Sequence, residues 1–277
     1  MVKAIFTVIK NEGRYLEEWF NWHIKLGFNK FILYEDTGSI SHEPVINKYY
    51  KIIDIDYYTD VLNGNEIEPK DIVCFRHIVD NYNGIDWIIK LDPDEYVKLP
   101  EGKTIDDILY NVDPVISQIT MDWRLYNANG FIDCPYAGVY SLVDTYIADI
   151  EKENLDIDFD INVSENEYDW GKTLLRYNNF IKNYKDKFNE VLSINFPYQF
   201  YIDNKENIID GSKEYGMFVD HYITKSFEEY LEKIKTRGDY RKNKRTIGDF
   251  FVLNPDMVKD IPDIEQKFKI NIFGYDN

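Results

Sequence analysis

The chain has 277 residues, of which 44% are hydrophobic and 30% charged, proportions that fit a folded globular protein with ample core and exclude a disordered or fibrous one. Its formal charge of −18 repels nucleic acid and anionic lipid at long range, so nucleic acid is not an expected partner. An anionic ligand would need local positive charge, from a metal or from gathered Lys and Arg.

Between Lys225 and Arg245 stand eight basic residues against four acidic ones. This 225–245 segment is the expected place for any peripheral contact with a membrane. Cys74 and Cys134 are far apart and belong to no CxxC pair, so neither a disulfide framework nor a cysteine zinc site is expected. No apolar run approaches the ~18 residues of a membrane span. The opening MVKAIFTVIKNEGR is charged too early for a signal peptide. A cytoplasmic protein is the expectation.

In chain order, AIFTVI (4–9) reads as a buried strand. YLEEWFNWHIKLG follows, with Leu16, Trp19, Phe20, His23 and Ile24 at helical spacing and Gly27 as the stop. His23, on the apolar face, is read as a core residue. KFILYE (30–35) is the next strand, which completes a βαβ unit and implies a parallel pair. Pro44–Tyr50 predicts a short helix, 51–58 a strand, Pro69–Tyr82 a helix with proline in its first turn, and 86–91 a further strand. The result is an open, mainly parallel, doubly wound sheet without a GxGxxG fingerprint. Later strands are expected in 115–130, 172–177 and 217–223. The acidic 149–169 stretch reads as a solvated loop. SFEEYLEKIKTRG starts a helix with serine at its cap and Gly238 as its stop. The domain expectation is 1–225 as the main domain, with 1–100 and 101–225 as its halves, and 226–277 as a C-terminal helical extension.

In such sheets ligands bind beyond the carboxyl ends of the strands. Asn11 and Glu12 follow the first strand, Glu35 and Asp36 the second, and Asp92 and Asp94 the strand WIIKL. Asp-x-Asp at a strand end suits a hard divalent cation that shares its sphere with a diphosphate. The same Asp-Pro-Asp also suits a plain turn. His221, just before Lys225, is a candidate third ligand; imidazole shifts the preference from Mg2+ toward Mn2+.

Several blocks resemble family-2-like and family-92-like glycosyltransferases: VIKNEGRYLEEWFNWHIKLGFNKFILYEDTGS, WIIKLDPDEYV, MDWRLYNANG and DHYITKSFEEYLEKIKTRG, in that order. The resemblance implies a GT-A fold, a nucleotide-sugar donor, a UDP-sugar by expectation, and a divalent metal, Mn2+ or Mg2+. It implies Asn11, Glu12 and Asp36 near the nucleotide, Asp92 at the ribose or metal, Asp94 and His221 on the metal, and Lys225 at the diphosphate. Arg76 is a further candidate for the diphosphate. An acceptor hydroxyl on a glycan or glycoconjugate must lose a proton. For an inverting enzyme, Asp122 and Asp169 are the candidate bases. Trp123, Tyr126 and Trp170 are open between sugar stacking and core packing. SISHE and NANG depart from the family pattern on the acceptor side. A haloacid-type phosphatase also carries Asp-x-Asp, but on its first strand, and a non-catalytic carbohydrate-binding module is the other alternative.

Overall fold

The computed structural model describes residues 1–64, 69–135, 146, 149–150, 171–178, 207–236 and 246–272. Trp170, Gly238, the basic residues from 237 to 245 and nearly all of the acidic 149–169 stretch lie outside the described residues. So does the candidate base Asp169.

The chain forms two compact units. The first comprises residues 1–123 and 165–220, the second 124–164 and 221–277. The first unit opens with β1 (Lys3–Ile9), α1 (Gly13–Leu26), β2 (Lys30–Glu35), α2 (Glu43–Ile46), β3 (Asp54–Tyr58), α3 (Lys70–Asn81) and β4 (Trp87–Lys90). β1 pairs in parallel with β2 and with β4, and β2 pairs in parallel with β3. These strands are β-branched and aromatic and buried on both faces, as a sheet covered by helices requires. Ala4, Phe6, Ile32, Tyr34, Phe75, Ile78 and Ile88 form one continuous core. α1 ends as expected at Gly27, whose φ of 100° closes the helix with bonds to the carbonyls of His23 and Ile24.

Beyond Lys90 the sheet becomes mixed. β5 (Glu95–Lys98) follows at once, then α4 (Ile105–Leu109), β6 (Gln118–Tyr126), the two-residue β7 (Asp149–Ile150), β8 (Gly171–Arg176), β9 (Ile208–Asp210), α5 (Gly211–Tyr215) and β10 (Phe218–His221). Among the described residues the strand order is β3-β2-β1-β4-β8-β6-β10-β5, with β7 and β9 also pairing to β6. β8 runs antiparallel to both β4 and β6. The sheet is therefore an open mixed one: its first half is parallel as expected, and beyond it β6 runs antiparallel to β8 and parallel to β9. Close approach of backbones explains two glycines. A Cβ on Gly171 would sit 2.0 Å from the Met121 carbonyl oxygen, and one on Gly211 would sit 2.8 Å from that of Thr120.

β5 was not foreseen. It lies at the edge of the sheet, and side chains of α1 satisfy its backbone. The Trp19 indole N–H donates to the Glu95 carbonyl (3.1 Å), and the Trp22 indole donates to that of Val97 (2.8 Å). The Val97 N–H donates to His23 Nε2 (3.3 Å), while His23 Nδ1 meets the Trp19 carbonyl (2.8 Å). With both nitrogens so used, His23 is the neutral Nδ1–H tautomer. Burial pushes its pKa down to about 3. The core reading of His23 holds.

The second unit includes α6 (Phe227–Thr236), α7 (Ile247–Leu253), a 3-10 turn (Pro255–Asp260) and α8 (Ile261–Phe268). Phe227, Tyr230, Phe250, Phe251, Met257 and Ile264 form its core. Ser226 caps α6 as the sequence predicts. Its hydroxyl accepts from the Glu229 N–H (3.2 Å) and donates to Glu229 Oε2 (2.7 Å). Among the described residues no helix is long and apolar enough to cross a membrane.

Candidate functional site

β2, β1 and β4 are adjacent and parallel, so their carboxyl ends share one rim. At a strand spacing of about 4.8 Å, the ends of β2 and β4 stand about 10 Å apart. The three acidic or amide pairs picked out of the sequence thus occupy one edge of the sheet.

At the end of β1, Asn11 has a φ of 57°, in the left-handed region. Its side-chain oxygen accepts from the Ile40 N–H (2.9 Å), and its own N–H donates to Ser39 Oγ (3.0 Å). Asn11 therefore ties the β1 loop to the β2 loop. The buried Glu12 is held through its backbone: its N–H donates to His42 Nε2 (2.9 Å). Accepting there, His42 must carry its proton on Nδ1, which faces Glu35 Oε2 at 2.9 Å. Burial lowers the His42 pKa against the pull of Glu35. Glu35 also accepts from the hydroxyl of Tyr57; its pKa is held low by Tyr57 and then His42, against its own desolvation. Tyr57, Glu35 and His42 thus form a chain that fixes the backbone of Glu12.

Asp36 is buried, and two lysines neutralise it. Lys70 Nζ, from the first turn of α3, is 2.6 Å from its Oδ2, and Lys10 Nζ is 3.4 Å away. Its Oδ1 accepts from the Thr37 N–H.

Asp92-Pro93-Asp94-Glu95 is a tight turn between β4 and β5. The Glu95 N–H donates to the Asp92 carbonyl (2.9 Å), with proline at the second position, where its fixed φ belongs. The turn and the acid site are therefore the same object. Asp94 is 2% exposed and Glu95 0%. Glu95 Oε2 accepts from the Asp92 N–H (2.9 Å) and pairs with Lys172 Nζ of β8 (2.9 Å). Lys172 also lies 3.5 Å from Asp92 Oδ2, while Lys90 Nζ is 2.7 Å from Asp92 Oδ1 and 3.4 Å from Asp71. Burial opposes the charge on Lys90, but Asp71, Asp92 and Glu95 overcome it and raise its pKa well above the usual value. Burial raises the Asp92 carboxyl, but Lys90 and then Lys172 outweigh it and hold it well below the usual range. Glu95 is pushed up to about 7, by burial first; the Asp92 charge adds to this and Lys172 opposes it.

Lys10, Lys70, Lys90 and Lys172 were missed in the sequence because each arrives from a different element. One signal was available. Lys90 interrupts the run WIIKL, and a lysine in a buried strand requires a partner. The expectation that positive charge would come as a run at 225–245 did not foresee these four.

Among the other candidates, Asp122 lies half-buried on β6 opposite Gly171. Its backbone N–H donates to Ser212 Oγ (2.8 Å). Arg76 is half-buried on α3. The Trp123 ring carries Lys172 Nζ at 5.5 Å, and Tyr126 stacks on Tyr222 at 5.0 Å, so both rings have packing partners within their own unit. His221 ends β10 and belongs to the second unit, as does Lys225, a buried lysine with a φ of 56°. Among the described residues four non-glycine positions have positive φ; Asn11, Asn129 and Lys225, three of them, fall in segments singled out for function. No group of three or more His, Cys, Asp or Glu arranged to hold a metal is found among the described residues. Asp92 and Asp94 nevertheless offer hard carboxylate oxygens of the kind a divalent cation takes.

No family model matches the chain. The chain is similar to glycosyltransferase family 92 proteins. One from Oryza sativa subsp. japonica is 23% identical over 139 residues, and one from Ricinus communis is 22% identical over 140. Each match takes in 49% of this chain but only 23% and 25% of those relatives, so the chain spans about a quarter of their length. Among solved structures, TarS 1–349 of S. aureus aligns over 98% of this chain and 76% of its own, at 13% identity and a TM-score of 0.47.

Proposed function

We propose that the chain is a metal-dependent glycosyltransferase that moves a sugar from a nucleotide-sugar donor, a UDP-sugar by preference, to a hydroxyl of a glycan or glycoconjugate, with inversion. The single observation that carries this reading is the convergence of Asn11, Glu12, Asp36, Asp92 and Asp94 with four lysines on one sheet edge. The similarity to family 92 proteins agrees with it.

The residues then divide the work. The fixed loops carrying Asn11 and Glu12 present backbone and side-chain polar groups to the nucleotide, and Asp36 accepts from its ribose or base. Lys10, Lys70, Lys90 and Lys172 offset the rim's own acids, which lets an acidic protein admit an anionic donor. A divalent cation, Mn2+ or Mg2+, would be held by Asp94 with Asp92 as the other assigned ligand of the same unit, and would supply Lewis acidity at the departing diphosphate. Arg76 adds fixed positive charge to the same leaving group. Asp122 takes the acceptor proton, with Asp169 as the competing assignment.

The test is a thermal-shift screen of nucleotide sugars with and without Mn2+. One uridine sugar should raise Tm in a metal-dependent way. Asp94→Asn should abolish that shift while leaving the Tm without ligand within a few degrees. A shift that survives in the variant, or no shift with any nucleotide sugar, overturns the reading.

A further inference from the structure

His42 is buried where the loops after β1 and β2 meet. Its Nε2 takes the N–H of Glu12, the residue that heads α1, at 2.9 Å. The ring is held from its other side as well. Glu35 Oε2 lies 2.9 Å from Nδ1, accepts the His42 backbone N–H at 3.2 Å and also accepts from the Tyr57 hydroxyl. A Cβ on Gly13 would sit 3.8 Å from His42 Cδ2, so the ring packs against the first turn of α1 too. Asn11 adds two bonds between the same loops, to Ser39 and Ile40, and no titrating group takes part in them. The titratable groups on the elements around the ring are Glu35 of β2, Tyr57 of β3, Glu12 at the head of α1 and Glu43 of α2. The Glu35 carboxyl is held low, so it stays ionised over the range in which an imidazole titrates. A proton added at Nε2 would turn the acceptor into a donor facing a second donor, and the bond to Glu12 must then break.

We propose that His42 is a positioning residue: as the neutral Nδ1–H tautomer it ties the Glu12 backbone to the β2 loop and holds the two loops in the shape that receives the nucleotide, and protonation releases the tie. This deepens the transferase reading and rests on it. The direction of the pH dependence follows. Burial lowers the His42 pKa although Glu35 pulls it up, so the tie is complete above the ordinary 6.5 and is lost as pH falls through the lower folded value.

The experiment has two readouts on the full chain between pH 7.5 and pH 5. The first needs no ligand: nuclear magnetic resonance of the 15N-labelled protein follows the Glu12 amide and the His42 ring nitrogens. The Glu12 amide should shift with the same midpoint as the ring, below pH 6.5. The second is the affinity for UDP-glucose with Mn2+; its pyrophosphate is a diester and lacks the second pKa of about 6 of a phosphate monoester. That affinity should fall about fivefold across the step, the worth of one hydrogen bond. Glu95 titrates in the same window, so the comparison with His42→Gln isolates the histidine. The glutamine amide oxygen reaches the place of Nε2 and accepts without titrating, so His42→Gln should bind as the native chain does at pH 7.5 and lose the His42 step. A purely structural role for His42 predicts the same pH profile in both. If His42→Gln does not fold, Glu35→Gln removes the charge that favours protonation and should move the midpoint of the Glu12 amide to lower pH. A Glu12 amide that stays put while His42 titrates overturns the proposal, as does an affinity profile shared by the native chain and His42→Gln. Absence of UDP-glucose binding at every pH overturns it through the transferase reading, and the amide titration, read without ligand, tells that failure from a failure of the tie.

Discussion

His23 shows at the scale of one residue how burial becomes a pH dependence. Its folded pKa of about 3 lies below the ordinary 6.5, so between those values the unfolded chain binds more protons than the folded one. Its contribution is fully present above pH 6.5 and is lost as pH falls, at about 1.4 kcal/mol per unit well inside that window. Glu95 works the other way between pH 7 and 4.5, because its folded pKa is raised. A total stability curve would blend the two. The difference between the native chain and His23→Gln isolates the histidine: the gap in urea unfolding free energy should narrow from pH 7 to pH 5, and a constant gap would rule the assignment out. The carboxylates of the site were legible because Asp92, Asp94 and Glu95 lie within four positions of an apolar run. Lys172 was not, because it meets Asp92 only after the chain has crossed β6, and sequence distance carries no trace of an ion pair.

Among the elements, α1 was legible to its last residue because its apolar face repeats at helical spacing and Gly27 ends it. β5 was not, since its four residues, Glu-Tyr-Val-Lys, are too few and too polar to stand out, and its stability comes from α1. The Trp19 indole therefore acts at a distance on the acid turn through the Glu95 carbonyl. Trp19→Phe should cost about 1–3 kcal/mol, from a buried carbonyl left without its donor, and should speed hydrogen exchange at the amides of 95–97. No change in exchange there would show that α1 does not anchor β5. β8 depends on Gly171 in a harsher way. A methyl group placed 2.0 Å from the Met121 carbonyl must push β8 off β6. Gly171→Ala should lose on the order of 3 kcal/mol in denaturant unfolding. Gly38→Ala, with no atom within 4 Å and a φ of 72°, should cost only about 1 kcal/mol, from backbone strain. Equal losses at the two sites would contradict the packing argument.

For the whole molecule, the parallel half was legible from alternating strand and helix patterns, whereas the antiparallel insertion of β8 between β4 and β6 was not. Periodicity marks a strand but says nothing of its neighbours. Charge acts at this scale too. The −18 field would repel the dianionic donor proposed above at distances where the rim lysines cannot be felt. At about 10 mM salt the screening length is about 30 Å, and at 150 mM about 8 Å. Raising salt across that range, at saturating Mn2+, should therefore speed donor association in stopped-flow traces; slower association would mean that local cations govern approach.

The place of β8 also dictates an order of events on the ribosome. β4 is finished at Lys90, but the strand that closes its open edge is not made until Gly171–Arg176. Throughout that interval the nascent chain carries a naked apolar strand edge with a cluster of acids beside it that lacks one of its two counter-ions. Such an edge invites pairing with other chains, so translation stalled between those points yields a sticky intermediate, and release of β8 from the exit tunnel is the moment when the open side of β4 is covered and its charge balance completed.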